Sequence, residues 1–251
     1  INSRDAIDLN AFYGICNTLE TVSINSPNGM GRGSREYIYY SGSDSFHTSG
    51  YKYYYKGLHF SDTACNKLTS INLGNDVTSI GDHVFSGLTN LTSLIIGNSV
   101  ADIGSNAFTG ATSLSSLTIP NSVTAIDSRA FSGASVMTSV EIPNSVTTIG
   151  DYAFAGSGLQ TVTIPDSVTT IGTGAFEGSL SLNSVSIPSS VTHIGNSAFA
   201  STNLTTVMIP DSVENLGSNA FQNTSSLASI TLGSGITEIK SHTFENTSLT
   251  S

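Results

Sequence analysis

Charge is what this sequence has least of. Only 10% of its 251 residues are Asp, Glu, Lys or Arg, against about a quarter in an ordinary globular protein. Ser, Thr, Asn and Gly carry the polarity instead. Bases are the scarcer sign, eight Lys and Arg against eighteen acids, for a net charge of -10. The imbalance is local: residues 1 to 67 hold six of each, while residues 68 to 251 hold twelve acids and only Arg129 and Lys240. Nucleic-acid binding needs clustered Lys and Arg and is therefore excluded as an expectation, and an anionic membrane surface is disfavoured for the same reason. Long apolar runs are missing too, so no segment reaches the roughly 18 residues of a spanning helix. The first residue is Ile and no charged-then-apolar leader opens the chain, so any address lies outside these residues.

Chemistry is equally thin. The five His residues (His47, His59, His83, His193, His242) share no ligand spacing, and neither HExxH nor a paired CxxC occurs, so no metal or other cofactor is expected. GMGRG at 29–33 lacks the Lys-Ser/Thr ending and following helix of a phosphate loop and reads as a flexible loop. No GxSxG elbow is present. Asp76, Asp82, Asp102, Asp151 and Asp211 are placed at corners, where Asp closes turns with its own backbone more often than it binds calcium. Nothing supports an enzyme.

What is abundant is repetition. Phe85, Phe108, Phe131, Phe154, Phe176, Phe199, Phe221 and Phe244 are spaced by 22 or 23 residues, and with Phe12 and Phe60 they account for ten of the eleven Phe. One unit, from Leu159, reads LQTVTIPDSVTTIGTGAFEGSLS. Leu159, Val162 and Ile164 suit a short strand with its apolar side inward. Pro165 has no amide hydrogen and ends that strand. Val168 and Ile171 form a second inward pair, Gly172 allows a corner, and Ala175 with Phe176 drives a third side into the core. A coil this thin cannot bury its own apolar face, so it must stack on the next. The spacing predicts a single repeat solenoid over 1–251, mostly β-strand and tight turns with little α-helix and with a parallel β face. Ten leading Leu or Met positions, from Leu19 to Leu249, make that face about 45 Å long at a strand spacing of about 4.8 Å.

The units LTIPNSVTAIDSRAF, VEIPNSVTTIGDYAF, VTIPDSVTTIGTGAF and VSIPSSVTHIGNSAF together resemble the BspA-like class of leucine-rich repeats, from about Ile7 to the last residue apart from one insertion. The resemblance implies a curved, right-handed solenoid of secreted or surface-anchored proteins, with adhesion to host matrix proteins, cell-surface glycoproteins or other cells as its task. Gly74, Gly97 and Gly233 depart from the pattern by replacing Pro; they are expected to keep the turn and loosen it. Both ends fall inside a repeat, so end caps are expected to lie outside this chain.

One coil is interrupted. Leu19 to Leu68 spans 49 residues, an insertion of about 26 placed at 26–56, and seven of the nine Tyr fall between residues 37 and 55. REYIYY and YKYYYK flank a turn-rich stretch, as in a hairpin with a long loop. Alternation puts Tyr51, Tyr53 and Tyr55 on one face and Lys52 on the other. As a binding ridge these residues would grip a protein or sugar; alternatively the rings shield the side of the solenoid. Cys16 and Cys65 occupy the same site on consecutive coils, within reach of a disulfide, yet two thiols packed as small hydrophobes serve equally well.

Two functions from different classes follow. The first is a monomeric surface binding module whose ligand contacts come from Tyr51, Lys52, Tyr53, Tyr55 and from outward positions of the leading strands, among them Thr118, Glu141, Thr163 and Met208. The second is a stiff spacer with no ligand of its own. A third reading takes the Thr columns, Thr147, Thr169 and Thr192, as ordering water. Sequons at Asn90, Asn203, Asn223 and Asn246 matter only in a eukaryotic secretory route.

Overall fold

A computed structural model describes residues 20–25, 37–41, 67–75 and 77–250. Over these residues the chain winds as a solenoid of three-sided coils, with strands on two sides, turns on the third and no helix. Each corner has its own chemical cause. Leading strands stop at Pro120, Pro143, Pro165, Pro188 and Pro210, whose carbonyls accept the amides of Val123, Val146, Val168, Val191 and Val213 at 3.0–3.2 Å. The imide closes the turn because it ends the ladder while its carbonyl still accepts. Gly74 and Gly97 make the same bond to Val77 and Val100 at 3.1 and 3.2 Å, so the turn survives without proline. A Cβ at Gly97 would lie 2.3 Å from the Gly74 carbonyl oxygen. Close approach of the coils, rather than looseness, excludes a side chain there.

The leading strands are β1 (Thr21–Asn25), β3 (Ser70–Leu73), β5 (Ser93–Ile95), β7 (Ser116–Thr118), β9 (Ser139–Glu141), β11 (Thr161–Thr163), β13 (Ser184–Ser186), β15 (Thr206–Met208) and β17 (Ser229–Thr231). They pair in parallel as β1-β3-β5, β7-β9, β11-β13 and β15-β17. The second side is a continuous parallel sheet of two-residue strands, β4 (Ser79–Ile80), β6 (Asp102–Ile103), β8 (Ala125–Ile126), β10 (Thr148–Ile149), β12 (Thr170–Ile171), β14 (His193–Ile194) and β16 (Asn215–Leu216). One residue of each pair points out and the other is buried, as the two-residue period requires.

The corner after this sheet carries Gly81, Gly104, Gly150, Gly172, Gly195 and Gly217, with Asp127 and Lys240 in the same column. The sequence suggests a conformational role for Gly172; the structure shows a steric one, since an added Cβ would sit 2.7 Å from the Asp151 amide nitrogen on the preceding coil. On the third side each coil holds two residues four apart in the left-handed region, such as Tyr152 (φ 57°) and Gly156 (φ 65°), or Ser197 (φ 54°) and Ser201 (φ 55°). That geometry aims three amides along the solenoid axis: Tyr152, Phe154 and Gly156 donate to the Thr173, Ala175 and Glu177 carbonyls of the next coil at 2.7–2.8 Å. The third side is therefore a hydrogen-bonded ladder as well.

Between the three ladders lies the core. The rings from Phe85 to Phe244 form one unbroken offset stack, with neighbouring centroids 5.2–5.9 Å apart and planes within 16°. Leu91, Leu114, Met137, Leu159, Leu182, Leu204 and Leu227 are fully buried beside them.

The insertion enters the described part as β2 (Tyr37–Ser41), which runs antiparallel along β1 with Thr21 opposite Ser41 and Asn25 opposite Tyr37. The first Tyr-rich run thus lines the free edge of the leading-strand sheet, in the order β2-β1-β3-β5. The second run, residues 51–56, lies outside the described residues.

Candidate functional site

The solenoid presents its leading strands as a flat polar face. Ser116 stands beside Ser139 and Thr118 beside Glu141 on β7 and β9. Thr161 stands beside Ser184 and Thr163 beside Ser186 on β11 and β13. Thr206 stands beside Ser229 and Met208 beside Thr231 on β15 and β17. All of these side chains are exposed. Thr118, Glu141, Thr163 and Met208 therefore occupy one column of one face, which brings together this part of the expected site. Two apolar side chains rise from that column, Ile95 at 54% exposure and Met208 at 70%, against small hydroxyls on most other rungs. Tyr51, Lys52, Tyr53, Tyr55, Cys16 and Cys65 lie outside the described residues.

The Thr column of the second side is engaged. The hydroxyls of Thr147, Thr169 and Thr192 donate to the carbonyls of Thr124, Thr147 and Thr169 one coil back, at 3.3–3.5 Å. Their hydrogens are directed to the protein backbone, which removes the regular free donors that a water-ordering face needs. Among the sequons, Asn90, Asn203, Asn223 and Asn246 are exposed. Asn246 Nδ2 donates to Asn223 Oδ1 at 2.8 Å.

Acids at the corners stitch coils together. Asp82 Oδ1 accepts the Ser105 amide, Asp151 Oδ1 that of Thr173 and Asp211 Oδ1 that of Ser234, each at 2.7 Å. The partner amide belongs to the following coil and not to the Asp's own turn. Asp102 lies on β6, away from the corners. Bonds from the Ser234 amide and hydroxyl hold the Asp211 carboxyl below the ordinary aspartate range. Among the described residues no three His, Cys, Asp or Glu side chains are placed to hold a metal, and no helix is long and apolar enough to cross a membrane.

Asp127 is different because it takes the place of a corner glycine. Burial first, then the nearby Asp82 and Asp102 carboxylates, push its carboxyl above the ordinary range. A raised acid favours folding while protonated and opposes it once ionised, so stability falls as pH climbs through the folded-state value. Asp127→Asn should accordingly raise the melting temperature at pH 7, and the advantage should shrink as pH drops below the carboxylate range. Thermal melts of both proteins across that interval check this; a constant gap would mean that charge is not the cause.

The sequence reading missed a second polar surface, on the outer side of β12, β14 and β16. His193 Nδ1 lies 2.7 Å from Thr192 Oγ1, and its Nε2 lies 3.1 Å from Asn215 Nδ2. Since Asn215 Nδ2 only donates, Nε2 accepts and the proton sits on Nδ1. Its one legible signal is Lys240, the single base in a column of corner glycines.

The repeat geometry agrees with comparison to known proteins. A family model described as "BspA type Leucine rich repeat region" matches residues 59–183 and 147–251. A T. pallidum leucine-rich repeat protein is 31% identical, with a TM-score of 0.47 over 48% of this chain and 57% of its own. The pneumococcal vaccine antigen PcpA is 32% identical, with a TM-score of 0.48 over 54% of this chain and 36% of its own. A leucine-rich cell surface protein of Faecalibacterium prausnitzii is 25% identical, with a TM-score of 0.48 over 90% of this chain and 82% of its own. The chain thus spans little more than half of the first of these and about a third of the second. No curated protein matches it. With 22- and 23-residue coils stacked on one Phe column and the family model matched from residue 59 to residue 251, the chain belongs to the BspA-type leucine-rich repeat family.

Proposed function

We propose that this chain is a binding module of a secreted or cell-surface protein, attaching to host matrix proteins, cell-surface glycoproteins or other cells through its leading-strand face and its Tyr-rich insertion. The observation that carries the reading is the column running from Ile95 through Thr118, Glu141, Thr163, Ser186 and Met208, exposed on successive rungs. Small hydroxyls offer adaptable hydrogen bonds across a broad contact, and the isolated large side chains supply the anchors that give such a surface its preference. The F. prausnitzii protein is itself described as a cell surface protein, which supports the same setting here.

Capture of immobilised matrix glycoproteins or whole cells by the chain is the test. Replacing Met208 by Ser together with Glu141 by Gln should weaken capture about tenfold, the loss of about 1.4 kcal/mol. A comparable loss on replacing Tyr51, Tyr53 and Tyr55 by Ser would place the insertion in the same interface. Unchanged capture by both variants would remove this site. No capture of any matrix protein or cell would leave the spacer, a reading the unbroken ring stack from Phe85 to Phe244 favours.

A further inference from the structure

A shallow, open furrow of about 400 Å³ lies on the second side of the solenoid, a volume in the range of small-ligand sites. Gly172, Gly195 and Gly217 line it beside Ile171 and Ile194. One wall carries Thr170, His193 and Asn215, the other Asp151, Thr173 and Asn196, and Lys240 lines it too. Lys240 shares the glycine column, and Asp127 interrupts that column on the N-terminal side.

Its polar groups are held in place by bonds they already make. Asp151 Oδ1 accepts the Thr173 amide at 2.7 Å and Asn196 Oδ1 accepts the Ser218 amide at 2.9 Å. That leaves the second carboxylate oxygen and the Asn196 Nδ2 for a ligand. Asn215 donates to His193, which fixes its amide and leaves its Oδ1 as an acceptor. Groups held in this way lose little freedom on binding. They recur at the rise of one coil, about 4.8 Å.

We infer that this furrow binds a linear, neutral oligosaccharide, lying along the solenoid axis with successive sugar rings on successive coils. A protein segment would need an apolar anchor, and none of the exposed large apolar side chains (Ile95, Val136, Leu180, Met208, Leu232, Ile239) lines the furrow. A polyanion would meet the Asp151 carboxylate on a chain of net charge -10, with Lys240 as the one base lining the furrow. A neutral sugar chain offers closely spaced hydroxyls that both donate and accept, and it advances by nearly one coil per ring. Asp151 and Asn215 Oδ1 accept from it, while Asn196 Nδ2 and Lys240 donate. The site is on a different side from the Met208 face and does not depend on it.

The test is titration of the 251-residue chain with linear glucan and mannan oligosaccharides of graded length, read by calorimetry and by the His193 imidazole NMR signals. Saturable binding that strengthens with length and then levels off is the expected result. Asn215→Ala and, separately, Thr173→Arg, which fills the trough, should each weaken it at least about tenfold, with melting temperature as the check on folding. Met208→Ser should leave it unchanged. The inference is overturned if no neutral chain gives saturable binding, if Thr173→Arg binds as the parent does, or if only acidic chains or peptides perturb His193.

Discussion

Replacing Phe154 by Ala should cost about 3 to 5 kcal/mol, the range for removing a large aromatic from a packed core. Phe154 is fully buried, and its ring lies 5.7 Å from both Phe131 and Phe176. Truncation therefore removes the transfer energy of one ring and also leaves two others facing a void. In a solenoid, stability is a sum of coil terms and neighbour terms, so deleting a central ring weakens two junctions at once. Denaturant unfolding should show this as an early, broadened transition, because the halves on either side of the gap no longer melt as one unit. Two controls fix the interpretation. Thr163→Ala, on the exposed column, should stay within about 0.5 kcal/mol. Phe244→Ala should cost less than Phe154→Ala, since Phe244 is only partly buried and stacks on Phe221 alone among the described rings. Equal shifts for Phe154→Ala and Thr163→Ala would contradict the inward stack.

That stack could be read in advance because the axis of a solenoid tolerates no change in size. A ring at one rung must meet a ring at the next, so the Phe column and the buried Leu and Met beside it appear at fixed spacing. The Pro corners were legible for a related reason, since a missing amide hydrogen has one structural meaning at a strand end. Other features leave no mark. Arg129 and Tyr152 take left-handed backbone at φ 57°, although nothing in these residue types announces it; the ladder to the next coil imposes the conformation. Tyr152 packs its ring over Gly174, the one glycine at this position of the repeat, and carries the Arg129 guanidinium 4.6 Å from its ring centre. In a chain so rich in Ser and Thr, nothing in the sequence sets apart the fully buried Ser179 and Thr224. Each donates to a core carbonyl, that of Phe154 and that of Phe199, at 3.1 Å. The furrow was hidden for the same reason: its Thr and Asn residues are of types spread over the whole chain, and only the strand register brings them side by side.

The corner glycines allow a prediction whose sign separates two explanations. Gly195 has no left-handed φ, so if it served only backbone freedom, Ala would stabilise the protein by about 0.4 to 1 kcal/mol through the unfolded chain. The contacts argue for the opposite sign. A Cβ at Gly195 would lie 2.5 Å from the Thr173 nitrogen and 2.6 Å from the Gly172 carbonyl carbon. These are backbone atoms of the preceding coil and cannot swing aside as a side-chain tip could. The coil would have to move off, stretching the 2.8 Å bond from the Gly195 amide to the Ile171 carbonyl. The chain already contains a natural case of that adjustment. Asp127, with a side chain in the same column, makes the corresponding bond to Ile103 at 3.1 Å, whereas Gly104, Gly150, Gly172, Gly195 and Gly217 make theirs at 2.8–2.9 Å. Gly195→Ala is therefore expected to destabilise by about 1 to 3 kcal/mol, the range for overpacking, measured by denaturant unfolding. A more stable Gly195→Ala protein would show that coils at this corner are not held apart by van der Waals contact, and the steric origin of the glycine column would have to be given up.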